Sequence, residues 1–362
     1  MIHVTKTFLP PLETYQAYIQ GIWERVQLTN SGPLCLELER QLKAYLGVKH
    51  LFFCSNGTVA IQVALKALDV SKAVITTPFS YCATSHVVLW ENADMIFADV
   101  DPGSLCIDPE QVEARITPQT QAILATHVYG IPCAVDALAD IARRHSLKLI
   151  YDGAHAFGVN LNGRSLLSYG DVSTCSFHAT KLFHTVEGGA IITNDDEVAA
   201  KIKLYRSFGH VGDDYFSIGI NAKNSEFHAA MGLCNLPFVP EIIERRRAVC
   251  AQYDALLLEE GVMTRPEIPA ELDYNFAYYP VFFSNEAQMQ AVRDALSEQE
   301  IFTRRYFYPS LNTLDFMPDY QACPVSEDMA SRVLCLPLYH DLSTDDVDRI
   351  ARIVLETVKQ YA

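Results

Sequence analysis

Ser176-Phe177-His178-Ala179-Thr180-Lys181 is followed closely by Glu187-Gly188-Gly189-Ala190-Ile191-Ile192. Two short β-rich apolar runs, Ser173 to Phe177 and Ala190 to Thr193, bracket this stretch, so Lys181 stands in a mainly uncharged segment just after a strand destined for the interior. That setting suits a surface charge badly and suits an amine used in Schiff-base chemistry well. For an isolated lysine the ordinary reading is a side chain that snorkels to water, and its neighbours shift that balance.

The same alternation extends upstream. Further strand candidates are His50 to Cys54, Ala73 to Thr77, Met95 to Val100, Ala122 to His127 and Leu147 to Tyr151. Helical patterns lie between several of them: Thr58 to Leu68, with Ile61, Ala64, Leu65 and Leu68 on one face, and Val135 to His145, with Leu138, Ile141 and Ala142. Strands alternating with helices predict an α/β fold with a mostly parallel sheet covered by helices. After Gly232 the character changes. Pro237 and Pro240 interrupt the chain, Glu241 to Leu258 reads as a long helix, and a strand (Tyr278 to Phe283) mixes with helices at Glu286 to Glu298 and Thr344 to Val358. The expected division is a large domain over residues 1–240, whose first segment (about 1–25) is free to pack with a smaller α+β domain over 241–362.

Composition narrows the function classes. The 362 residues carry 28 Lys+Arg against 44 Asp+Glu, a formal net charge of −16, with 49% apolar and 20% charged residues. Disorder and a general nucleic-acid-binding role are excluded by that balance, while a local basic pocket for a small anion is not. The start Met1-Ile2-His3-Val4-Thr5-Lys6 lacks the pattern of a signal peptide, which predicts a cytoplasmic protein. The uncharged runs Ala73 to Trp90 and Ile116 to Val135 contain prolines and polar residues, so they read as buried strands plus loops rather than membrane spans. None of the ten cysteines is paired as Cys-x-x-Cys, so they read as buried reduced thiols and no metal site is expected. The motifs G-x-G-x-x-G, G-x-x-x-x-G-K-[ST], G-x-S-x-G and H-E-x-x-H are all missing.

Two further strand ends carry chemistry. Leu149-Ile150-Tyr151-Asp152-Gly153-Ala154-His155 puts a carboxylate at the carboxyl end of a buried strand, where parallel sheets bind ligands and where a lone acid wants a cationic partner such as a protonated pyridine nitrogen. An N-capping aspartate is the plainer reading. Cys54-Ser55-Asn56-Gly57-Thr58 precedes the Thr58 to Leu68 helix, and free amides at a helix start beside a glycine make an anion cradle.

In this order the three signals resemble the fold-type I pyridoxal phosphate enzymes, and among them the sugar aminotransferases of the DegT/DnrJ/EryC1/StrS group. The resemblance runs from Thr29-Asn30-Ser31-Gly32-Pro33 through Asn56-Gly57-Thr58, Asp99-Val100-Asp101, Tyr129-Gly130, Asp152 to His155 and Ser176 to Lys181, and closes with Leu336-Pro337-Leu338-Tyr339. It implies a three-layer α/β fold, pyridoxal 5'-phosphate as cofactor with pyridoxamine phosphate in the cycle, and a homodimer. By this resemblance Lys181 is the lysine that joins the cofactor and moves the proton, and Asp152 the acid on the pyridine nitrogen. Gly57, Thr58 and Ser176 hold the phosphate, Tyr81 stacks on the ring, and His155 lies beside the ring hydroxyl. Asn221 reaches the phosphate of the neighbouring subunit, which would make the active sites shared. Lys223, Arg304, Arg305, Tyr306, Phe307 and Tyr308 are candidates for the nucleotide sugar. The group's usual Gly-Glu-Gly-Gly reads Val186-Glu187-Gly188-Gly189 here, and its Glu-Asp reads Tyr151-Asp152.

The implied activity is transfer of an amino group from L-glutamate to a nucleotide-linked keto-6-deoxy sugar, at C4 of a dTDP-4-keto-6-deoxyglucose-type substrate, as in bacterial surface-polysaccharide (lipopolysaccharide O-antigen) biosynthesis. Amination at C3 is the alternative. A sugar dehydratase of the same scaffold would carry histidine in place of Lys181, and a non-catalytic sensor would add a DNA-binding module or lose a catalytic group.

Overall fold

Seven short, largely buried strands form the central sheet: β1 (His50–Cys54), β2 (Ala73–Thr76), β3 (Asp94–Phe97), β4 (Thr120–Thr126), β5 (Lys148–Asp152), β6 (Val172–Ser176) and β7 (Gly189–Thr193). The computed structural model describes residues 1–258, 264–317 and 319–361. The strand order is β1-β7-β6-β5-β4-β2-β3; β7 runs antiparallel to both neighbours and the other six point one way.

Successive strand residues enter opposite clusters. Ile75, Ile123, Leu149 and Ala190 join one core, and their neighbours Val74, Leu124, Ile150 and Ile191 join the other. Period-two alternation with both faces apolar requires helices on both sides of the sheet, which gives the three layers. The helix Gly57–Ala67 contributes Ala60, Ile61 and Ala64 to one layer, and Pro33–Leu46 contributes Leu38 and Leu42 to the other.

A third core gathers Tyr253, Val281, Val292, Leu334, Ile350 and Val354 from the helices Val239–Tyr253, Glu286–Glu298 and Thr344–Gln360 and the antiparallel pair Pro280–Phe282 and Val333–Cys335, with Tyr279 just before that pair. Ile2 packs there too, paired in parallel with Ile301, whereas Ile22 of the helix Leu12–Arg25 is buried in the first core.

One reading is corrected. Ala73 to Trp90 was expected as strands plus loops, yet Cys82–Trp90 is an α-helix. Thr84, Ser85, Val87 and Val88 are all buried, so two adjacent pairs point inward and no one-sided apolar stripe marks the helix in the sequence. The helix expected over Glu241 to Leu258 starts at Val239, with Pro240 in its first turn, and widens into a π turn over Asp254–Leu258. All ten cysteines are free thiols, nine buried and Cys82 half-buried. Among the described residues no helix is long and apolar enough to cross a membrane.

Candidate active site

Parallel strands deliver their carboxyl ends to one edge of the sheet, and the register lines those ends up. Thr126, Asp152 and Thr174 are partners across β4, β5 and β6, while Cys54, Gly189 and Ser176 are partners across β1, β7 and β6. Gly189 is glycine for a spatial reason: a Cβ there would lie 2.6 Å from the Asn56 carbonyl carbon. The sheet can pass beneath the start of the Gly57–Ala67 helix only without that atom.

Asn56 caps this helix by accepting the Val59 amide at 2.8 Å. The amides of Gly57 and Thr58, at the first two helical positions, have no intrahelical acceptor. A Cβ on Gly57 would lie 3.0 Å from the Ser176 Cβ, so the missing side chain lets the serine hydroxyl sit against the helix start. Two amides, a hydroxyl and the helix dipole there form an anion cradle.

Asp152 ends β5 and is buried. Its Oδ1 accepts the Ala154 amide at 3.0 Å and its Oδ2 accepts the Thr84 hydroxyl at 2.7 Å. Among the described residues it forms no ion pair, so a cation is the group its site lacks.

Lys181 is half-buried in the turn after β6, its amide bonded to the His178 carbonyl at 2.8 Å. Its Nζ donates to the Tyr278 Oη at 3.3 Å, and among the described residues no carboxylate pairs with it. His155 is buried; burial, and then the Lys181 charge, push its pKa well below the usual imidazole value, so the ring is neutral. Its Nδ1 accepts the Tyr129 amide at 3.1 Å, which puts the proton on Nε2. Phe307 lies parallel to this ring with centroids 5.5 Å apart.

These groups line one cavity of about 340 Å³, with Gly57, Thr58, Asp152, His155, Ser176 and Lys181 on its walls. Tyr81, Tyr306 and Phe307 separate it from a second cavity of about 540 Å³. Tyr81 is 62% exposed, so it is a mouth residue rather than a core aromatic. The outer cavity carries Arg293, Arg304, Arg305, His86, Tyr308 and Phe316. Arg305 is already committed: it pairs with Glu286 at 2.9 Å, donates to the Ser331 carbonyl at 2.6 Å and lies 3.2 Å from the Tyr308 ring centre. Arg304 is exposed and, among the described residues, its guanidinium has no partner.

Two sequence candidates lie elsewhere. Asn221 and Lys223 line neither cavity; Lys223 donates to the Asn221 Oδ1 at 2.9 Å and its amine sits over Phe208. Burial and then Arg206 lower the Lys223 pKa. The pair is tethered near the cradle, because the Ala222 carbonyl accepts the Ser55 amide at 2.9 Å and the Ala222 amide donates to the Arg206 carbonyl at 3.0 Å.

Sequence reasoning missed Tyr278 and Thr84. Tyr278 read as one aromatic of a strand, and Thr84 as one polar residue in an uncharged run; nothing local in either distinguishes a contact made across 97 or 68 positions.

The chain belongs to the DegT/DnrJ/EryC1/StrS aminotransferase family, whose model matches residues 12–355. It is 40% identical to the dTDP-4-amino-4,6-dideoxy-D-glucose transaminase of Shigella dysenteriae, over 98% of both chains. It is 35% identical to the transaminase of the same name from Escherichia coli, again over 98% of each. Its fold superposes with a TM-score of 0.94 on the crystal structure of DesI in the presence of its TDP-sugar product, at 32% identity over 99% of this chain and 93% of that one.

Proposed function

We propose that this protein moves an amino group from L-glutamate to C4 of a dTDP-4-keto-6-deoxyglucose-type substrate, with pyridoxal 5'-phosphate held in the inner cavity. The observation that carries the reading is Lys181: a half-buried amine on the cavity wall that, among the described residues, bonds only to a tyrosine hydroxyl and shares the cavity with an acid that has no cationic partner. The relatives' names support the sugar.

The donor set fits this cofactor. The amides of Gly57 and Thr58 with the Ser176 hydroxyl take the phosphate, Asp152 pairs with the protonated ring nitrogen, and Tyr81 covers the ring at the mouth. His155 presents a neutral Nε2–H to the ring hydroxyl; a charged imidazolium beside Lys181 would repel the amine. When bound, pyridoxal phosphate supplies the electron sink that lets an amine and a ketone exchange. Lys181 anchors the cofactor, and its Nζ, once released, is the base that carries the proton in both half-reactions. Asp152 keeps the opposing charge fixed throughout.

The outer cavity takes the nucleotide end, with the Arg304 guanidinium, which has no bonded partner among the described residues, on the diphosphate and Tyr306 beside the sugar. Asn221, exposed and outside its own chain's cavity, serves the phosphate of the second subunit of a homodimer, with Lys223 beside it. The same reading places the protein in the cytoplasm and divides the chain near residue 240 into a cofactor domain and a smaller domain.

The test is an absorption spectrum of the purified protein with pyridoxal phosphate, before and after L-glutamate, followed by product analysis with the dTDP-4-keto sugar. A visible band bleached by glutamate, then a 4-amino sugar, is expected. The lack of a visible band would overturn the cofactor assignment. Bleaching followed by amination of a 3-keto sugar alone would overturn the choice of carbon.

A further inference from the structure

Behind Asp152 lie three buried hydroxyls, of Thr84, Ser80 and Thr126, and Ser80 also forms part of the outer cavity's wall. Thr84 Oγ1 meets Asp152 Oδ2 at 2.7 Å, Ser80 Oγ meets Thr84 Oγ1 at 2.8 Å, and Ser80 Oγ meets Thr126 Oγ1 at 3.1 Å. All three are buried, with exposures of 2% for Ser80, 0% for Thr84 and 2% for Thr126.

The direction of these bonds follows from counting protons. An ionised carboxylate only accepts, and each hydroxyl has one hydrogen to give. Thr84 therefore donates to Asp152, Ser80 must donate to Thr84, and Thr126 must donate to Ser80. The chain is polarised one way, each bond strengthening the next in a low-dielectric setting, and it ends on the acid. Both ends are fixed to the same sheet, since Thr126 and Asp152 are register partners on β4 and β5. With the Ala154 amide on Oδ1, each carboxylate oxygen has one internal donor and keeps acceptor capacity toward the cavity.

We propose that Thr84, supported by Ser80 and Thr126, is a positioning residue that orients the Asp152 carboxylate and holds it ready for a protonated heteroaromatic nitrogen. This rests on the cofactor reading above. The alternative is that the three hydroxyls merely satisfy one another inside the core. The two differ in what they predict for the acid's partner. Because Ser80 precedes Tyr81, the same chain also fixes the backbone that presents the mouth aromatic.

The experiment compares Thr84→Val, Thr84→Ser, Ser80→Ala and Thr126→Val for the pyridoxal phosphate concentration that half-saturates the apoprotein, and for kcat and KM. A hydrogen bond to a charged group lost from Thr84→Val is expected to raise the half-saturating concentration about 10- to 100-fold and to lower kcat, with the KM for the nucleotide sugar unchanged. Thr84→Ser, which keeps the donor, is expected to restore both. Thr126→Val, two bonds away, is expected to shift them the same way by about threefold. Should Thr84→Val fail to fold, Ser80→Ala and Thr126→Val carry the test. Wild-type cofactor affinity and kcat in folded Thr84→Val, or no recovery in Thr84→Ser, would overturn the proposal while leaving the aminotransferase reading intact. Failure of the wild-type chain to take up the cofactor would overturn both.

Discussion

The inner and outer cavities meet at Tyr81, Tyr306 and Phe307, yet they are built differently. Most inner wall residues sit at or just after the ends of β1, β5 and β6, where hydrogen-bond register sets their spacing. The outer cavity takes much of its wall from residues 303–316, which have little regular structure. Strand ends hold fixed distances whatever the loops do, so they suit groups that must meet a reacting centre. An irregular segment changes shape with few substitutions and suits the choice of substrate. On this comparison, damage to the inner cavity reads out in kcat and damage to the outer one in KM.

The strongest attempt to break that division is Lys181→Ala. Removing the one lysine amine among the described residues that line the inner cavity is expected to lower kcat by about ten-thousand-fold or more while the nucleotide sugar still binds with nearly the wild-type affinity. Steady-state kinetics together with calorimetric titration of the sugar check this. Undiminished turnover would remove Lys181 from the chemistry, and loss of sugar binding alongside turnover would show that the two cavities are not separable.

Arg304→Ala probes the other side. Losing a charge-assisted bond to a diphosphate is expected to raise the KM for the nucleotide sugar about tenfold, with the kcat and the L-glutamate KM within about twofold of wild type. The Arg305→Ala variant makes a useful contrast. Its guanidinium is tied to Glu286 and the Ser331 carbonyl, so its loss is expected to lower thermal stability rather than to move KM selectively. A change in kcat alone for Arg304→Ala would erase the distinction between the cavities.

The same architectural difference explains what the sequence disclosed. Asp152 was legible because a run of apolar residues ending in one acid is what a buried strand delivering a carboxylate looks like. Asn56-Gly57-Thr58 was legible because a cap, a turn residue and a helix start are contiguous. Six of the seven sheet strands fell within one or two residues of their expected starts and ends or overlapped them substantially; β3 ends three residues early because the chain leaves the sheet at Phe97. Thr84 and Tyr278 were not legible, since their contacts join residues that only the fold brings together. Asn221 read as a site residue by resemblance, but its own chain places it outside both cavities.

Val186 is the smallest and most local departure, and it falls in the inner region, on the turn between Lys181 and Gly189. Its φ is +68°, in the left-handed region where a β-branched side chain is strained. The position is 44% exposed, and its amide is held by the His184 Nδ1 at 3.2 Å. Glycine adopts this φ freely but loses more chain entropy on folding, so the net gain for Val186→Gly is expected to be about 0.5 to 1 kcal/mol. In a chain of this size that is a rise of roughly 1 °C in Tm. If the strain is only tolerated, kcat stays the same while Tm rises. A stabilised variant with a lowered kcat would instead show that the strained turn holds the Lys181 loop in its working shape, making rigidity in the inner region depend on more than the strand ends. A fall in Tm would mean that the valine side chain makes contacts worth more than its backbone strain costs.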